Sequence, residues 1–303
     1  MNAAHEAGHR YLKSGETTGV EVRRRSNETR QDDKANRGPR TEKVRELFHS
    51  LLSAESYPRG VQFLTELADA GLSLIYPSVC QLCHAQRAGP GEGYVCLPCR
   101  SRVKLIQPPL CNCCGMPFQG DISHVFTCAE CHRWKPAFSR ARAAAVAKGT
   151  LLEAIHKYKY ESGLWLEPFL TGLLIRQAAP ELSTAGWDAI VPVPLYPAKE
   201  RERGFNQAER LARQLSRAAG IPLQKGFVRR HIPTPTQTRL SREERRQNVS
   251  RAFRVPSSGR VRGQRIVLVD DVFTTGATTH ACASALIQAG AAEVCVWTVA
   301  RGT

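Results

Sequence analysis

A chain of 303 residues with 42% apolar and 23% charged side chains has the composition of a globular protein, long enough for one large domain or two modest ones. No run of eighteen apolar residues occurs and the N-terminus has no apolar leader, so the sequence argues against export and membrane spanning, and the expected location is cytoplasmic. The formal charge of +16 attracts polyanions, whether a nucleic acid or a phosphate-rich small molecule, without choosing between them.

Residues 1–60 read as a basic, largely disordered extension. Arg23, Arg24, Arg25, Arg30, Lys34, Arg37 and Arg40 arrive with few apolar residues between them and no helical or strand period. Residues 61–140 read as an amphipathic helix followed by a metal-binding module. Val61, Leu64, Leu67, Ala68, Leu72 and Ile75 recur at helical spacing until Pro77 stops the pattern. Four Cys-x2-Cys pairs follow: Cys80 and Cys83, Cys96 and Cys99, Cys111 and Cys114, Cys128 and Cys131.

In a reducing compartment such spacing points to metal rather than disulfides. Two intervening residues let both thiolates reach one ion from a tight turn, and the 12 and 13 residues between pairs suffice for a hairpin. The expectation is two structural zinc ions, one held by Cys80, Cys83, Cys96 and Cys99, the other by Cys111, Cys114, Cys128 and Cys131. Crossed pairing and a rubredoxin-type iron site fit the same spacing. Cys113 is left over, and His84, His124 and His132 lie near enough in sequence to replace a cysteine. Phe118, Phe126, Trp134 and Phe138 either form the module's small core or stack on bases.

Residues 141–303 read as an α/β domain with a mostly parallel sheet flanked by helices. A strand through Ala189, Ile190 and Val191 precedes a helix marked by Leu211, Ala212, Leu215 and Ala219 and ended by Gly220. A second unit follows: strand Ile266 to Val269, a loop, a helix from about Thr278 to Ala289, and strand Val294 to Val299. Cys282 and Cys295 fall on apolar faces and read as core residues.

The loop of that second unit carries the chemistry. Asp270 and Asp271 follow four apolar residues and so stand at the C-terminal end of a parallel strand, where ligands of such sheets bind. Thr274, Thr275, Gly276, Ala277 and Thr278 then offer small side chains, hydroxyls and helix N-terminal amides to an anion. An acid pair beside a phosphate cradle fits a ribose 5-phosphate. Neither a Gly-Lys-Ser/Thr P-loop nor a G-x-G-x-x-G turn is present.

This string resembles the 5-phosphoribosyl-1-pyrophosphate (PRPP) signature of type I phosphoribosyltransferases. With Val191-Pro192-Val193-Pro194, Arg201 to Gln207, Gln237 to Ser241, Arg245 to Val249 and the paired four-cysteine sites, the chain resembles the ComF family of competence-associated proteins from about Leu72 onward. The resemblance implies PRPP as ligand, with Asp270 and Asp271 on the ribose hydroxyls as the catalytic pair. Thr274, Thr275, Gly276, Ala277 and Thr278 would take the 5-phosphate, and Pro192, Val193 and Pro194 the pyrophosphate. It also implies magnesium between pyrophosphate and ribose. The segment Pro235 to Asn248 corresponds to a mobile lid, whose Arg239, Arg242, Arg245 and Arg246 face pyrophosphate, water or a nucleic-acid backbone. Two functions follow: phosphoribosyl transfer to a nitrogen acceptor, or a non-catalytic sensor that binds single-stranded DNA or docks a cytoplasmic competence protein such as a helicase during DNA uptake.

Overall fold

The computed structural model describes residues 78–120, 125–233 and 251–302, all within a compact unit spanning 76–303. The basic extension, the amphipathic helix over 61–75, His124 and the arginines at 239, 242, 245 and 246 lie outside the described residues.

The sheet has four parallel strands: β1 (Arg140–Val146), β2 (Ala189–Pro192), β5 (Arg265–Phe273) and β6 (Glu293–Arg301), in the order β1-β6-β5-β2. Its central strands are buried on both faces, so they read as continuous apolar runs rather than alternating ones. The pleat still sorts their side chains. Val267, Val269, Cys295 and Trp297 enter one apolar layer, while Ile266, Leu268, Val294 and Val296 enter the other. Cys282 and Cys295 are fully buried, as core residues should be.

Helices α3 (Gly149–Tyr160), α4 (Glu167–Leu182) and α6 (Gln207–Ala219) contribute to the first layer, and α7 (Ala277–Gln288) to the second. A short α5 (Pro197–Arg203) precedes α6, and an antiparallel pair of two-residue strands, β3 (Arg229–Arg230) and β4 (Phe253–Arg254), packs beside α7. In α6, Asn206 caps the N-terminus by accepting from the Ala208 amide, and Gly220 closes the C-terminus at φ 69°. Leu211 and Leu215 are fully buried on its inner face, each contributing roughly 1.5–3 kcal/mol of transfer free energy.

Arg140–Val146, for which no element is predicted from sequence, is a strand although its alanines favour a helix, because it gains a full ladder with β6. The strand expected to stop at Val269 continues to Phe273, since its partner β6 is equally long and pairs with it through Asp270↔Thr298 and Val272↔Ala300.

Both sheet edges are covered, which removes the unpaired edges that invite association. On β1, Ile106 donates to the Ala144 carbonyl at 3.0 Å, Val146 to the Lys104 carbonyl at 2.8 Å, and Ala141 to the Cys113 carbonyl. On β2, Ile190 donates to the Pro222 carbonyl and Gln224 to the Ile190 carbonyl, each at 2.8 Å. The cysteine-rich segment therefore acts as an edge cover for the sheet. Its first half, with Cys80, Cys96 and Cys99, joins the layer of α3 and α4; its second, with Cys111, Cys114 and Cys131, joins that of α7. Among the described residues no helix is long and apolar enough to cross a membrane.

Candidate functional site

The eight paired cysteines form two groups, Cys80, Cys83, Cys96 and Cys99, and Cys111, Cys114, Cys128 and Cys131, with the sulfurs of each group within 4.8 Å of one another. This is the sequential pairing, not the crossed one. Cys113, His84 and His132 stand outside both groups. The sulfurs are prepared for a cation by amide hydrogens: Cys96 N–H donates to Cys80 Sγ at 3.4 Å, and the Cys114 and Cys128 amides to Cys111 Sγ at 3.5 and 3.3 Å. Burial alone would raise the Cys80 and Cys111 thiols, but backbone amides, those of Cys96, Cys83 and Leu82 at Cys80 and those of Cys114, Cys128 and Cys113 at Cys111, more than reverse it, to about 6 and about 7. Four convergent soft donors fit tetrahedral zinc, and such closed sites are structural.

The aromatic side chains of this segment are engaged in packing. Phe118 meets Phe126 edge-on at 4.4 Å, Phe138 is buried, and Trp134 packs toward Phe138 and His280.

At the C-terminal end of β5 a cavity of about 320 Å³ opens. Asp270, Asp271, Thr274 and Thr278 line it, with Val193 and Pro194 from just beyond β2. Six of the residues expected from sequence thus meet around one space. Pro192, Thr275, Gly276 and Ala277 shape its backbone without lining it. Gly276 sits at φ 76°, and a Cβ there would lie 2.5 Å from Phe273 Cζ and 2.9 Å from Trp134 Cη2, so only glycine fits this turn. The Thr275 hydroxyl accepts from the Ala277 amide at 3.3 Å, holding the turn against the start of α7.

The acid pair is internally organised. The Asp271 amide donates to Asp270 Oδ1 at 2.9 Å, and the Val272 amide to Asp271 Oδ1 at 2.8 Å. Burial first, and then the neighbouring Asp271 charge, push the Asp270 carboxyl up to about 8, against the opposing pull of Lys159. Asp270 therefore holds its proton to higher pH than an ordinary aspartate, and a partner that prefers the carboxylate displaces that proton.

Sequence reasoning missed part of the lining. It comes from α3, where His156, Lys159 and Tyr160 line the cavity, joined by Gln207 at the start of α6 and Arg230 on β3. Lys159 Nζ lies 2.6 Å from Asp271 Oδ2, with side-chain exposures of 18% and 5%, so this is a nearly buried ion pair. Burial alone would lower the Lys159 ammonium; the charge and hydrogen bond of Asp271 more than compensate, and it is held above the usual lysine value. The faint sequence signal is a lysine on an otherwise buried stripe of Leu151, Ile155 and Tyr158. Arg203 lies over the exposed Tyr160 ring at 5.5 Å.

A parallel sheet with an acid pair and a glycine-containing turn at one strand end, its edge clasped by two four-cysteine groups, defines a phosphoribosyltransferase-type α/β domain preceded by a double zinc ribbon. Family models agree: one described as a double zinc ribbon domain matches residues 71–132, and one described as a phosphoribosyl transferase domain matches 187–303. Competence protein F of Haemophilus influenzae is 34% identical over 211 residues, covering 68% of this chain and 90% of the relative. The DNA utilization protein YhgH of Escherichia coli K12 is 34% identical, covering 75% and 99%, and competence protein ComFC of Bacillus subtilis is 27% identical, covering 75% and 96%. The chain belongs to this competence-associated ComF family. Among solved structures, the glutamine PRPP amidotransferase from B. subtilis complexed with ADP and GMP is 25% identical at a TM-score of 0.28, covering 42% of this chain and 24% of that one.

Proposed function

We propose that the cavity binds PRPP and that the protein transfers its phosphoribosyl group to a nitrogen acceptor. The observation that supports this reading most is the convergence of Asp270, Asp271, Thr274 and Thr278 on one cavity of about 320 Å³, a volume in the range of small-ligand sites. The turn at 274–278 and the N-terminus of α7 receive the 5-phosphate, through hydroxyls and backbone amides. Asp270 and Asp271 accept hydrogen bonds from the ribose hydroxyls, and Val193 and Pro194 face the pyrophosphate.

In the transfer, the bond from C1 to the pyrophosphate oxygen breaks, pyrophosphate leaves with the electron pair, and the nitrogen lone pair forms the new bond to C1 while its proton passes to solvent. The ring is cationic between these events, and the negative field of the two aspartates stabilises it. Two hard carboxylates fit a hydrated divalent cation, which Asp270 and Asp271 would hold together with oxygens of the ligand. Magnesium, when bound, neutralises the departing pyrophosphate. Lys159 and Arg230 add positive charge to the lining of the same cavity. Equilibrium dialysis with PRPP and magnesium tests the reading. Ribose 5-phosphate should compete for the site and ribose should not; equal competition by ribose would remove the phosphate cradle from the account.

A second reading is favoured by the charge of +16 and by the names of two relatives, a competence protein and a DNA utilization protein. In it the basic surface engages single-stranded DNA, and the ribbons dock a partner of the uptake machinery. Backbone contacts of that kind weaken steeply with salt. Oligonucleotide affinity that stays constant between low and moderate salt would sink it.

A further inference from the structure

The second cysteine group does more than cover a sheet edge. Its last two ligands belong to α2 (Ala129–Trp134), with Cys128 as the N-cap residue and Cys131 in the first turn. A six-residue helix has too few bonds to persist alone in water, so its position is set by its ligands. One turn beyond them, Trp134 meets the phosphate turn: its Cη2 lies 2.9 Å from where a Gly276 Cβ would stand. Its ring centroid is 5.0 Å from His280, whose Nδ1 accepts the Ala137 amide hydrogen at 3.0 Å.

A second path runs through Arg301. The residue is 4% exposed, and its guanidinium donates to Cys114 Sγ at 3.4 Å and lies over the Phe273 ring at 4.7 Å. That ring packs under Gly276 and edge-on against Phe138. Arg301 thus joins a ligand cysteine directly to the ring that lies beneath the turn. The first cysteine group makes none of these contacts. It joins the opposite layer and braces α3 instead, where Lys157 donates to the Gln81 carbonyl at 2.9 Å.

We propose that the second ribbon is a positioning element of the ligand site: metal at Cys111, Cys114, Cys128 and Cys131 sets the conformation of the 274–278 turn through Trp134, His280 and Arg301. This rests on the reading of that turn as the phosphate cradle.

Hydrogen–deuterium exchange tests the brace without any ligand. The first intrahelical bond of α7 closes from the His280 amide to the Gly276 carbonyl at 2.8 Å, so amides from His280 to Ala283 report on the turn. In the full chain, Cys128→Ser with one zinc lost, and Trp134→Ala with both retained, should each exchange about tenfold faster there. Cys83→Ser should leave these amides unchanged. If Cys128→Ser fails to fold, Trp134→Ala decides. Unchanged exchange in Trp134→Ala, or equal acceleration in Cys83→Ser, overturns the proposal. Ribose 5-phosphate affinity, measured alongside, should weaken about tenfold in Trp134→Ala. A wild type that fails to bind ribose 5-phosphate refutes the phosphate reading, while the exchange result still decides the brace.

Discussion

Replacing Lys159 by methionine keeps its length and removes its charge. The ammonium stands 2.6 Å from Asp271, whose side chain is 5% exposed, so the variant leaves a nearly buried carboxylate without its paired ammonium. Breaking a buried pair on one side costs about 3–5 kcal/mol, and the 18% exposure of Lys159 places this case near the lower end, about 3 kcal/mol. For a unit of this size each kcal/mol moves the midpoint by about 2–4 °C, giving a fall of about 6–12 °C. Asp271→Asn in the same background removes the orphaned charge and should recover most of it. Thermal and urea unfolding of the two single variants, the double variant and the wild type form a cycle whose coupling should exceed about 1.5 kcal/mol. A Lys159→Met variant within about 0.5 kcal/mol of wild type would refute the claim that α3 is tied to the acid pair.

The pH dependence follows from Asp270. Its carboxyl is raised from 3.8 to about 8, so the folded state holds a proton that the unfolded state releases, and stability falls as pH rises from about 4 toward 8. A ligand that needs the carboxylate should bind more tightly as pH rises from 7 toward 8; Asp270→Asn should flatten that profile in calorimetric titrations at several pH values. Gly276→Ala should cost more than about 1 kcal/mol and weaken 5-phosphate ligands, since it adds a clash to a left-handed backbone; an unchanged unfolding midpoint would contradict the geometry. Stripping zinc with a chelator should expose β1 and raise light scattering, because Lys104 and Ile106 then lose the anchor that holds them on its edge.

The parts of the site that are contiguous in sequence were legible. Ile266 to Thr278 holds a buried strand, an acid pair and a glycine-containing turn in one string, and the cysteine pairs declare their ligand spacing. Lys159, His156, Tyr160 and Arg230 were not legible, because only the tertiary packing of α3 and β3 brings them to the strand end. Strand β1 was hidden by its alanines: its state is decided by the ladder with β6 and by Ile106 and Cys113 on its free edge, and residue preference points the other way. The link between Trp134 and Gly276 is likewise a contact between distant segments, although the glycine itself could be read as a demanding position.

The central claim is met most directly by calorimetric titration of the zinc-loaded protein with PRPP and magnesium, beside an Asp270→Ala, Asp271→Ala variant of equal zinc content and unchanged fold. Saturable binding in the wild type that disappears in the variant is the predicted result. A folded, zinc-loaded wild type that takes up no PRPP would contradict it.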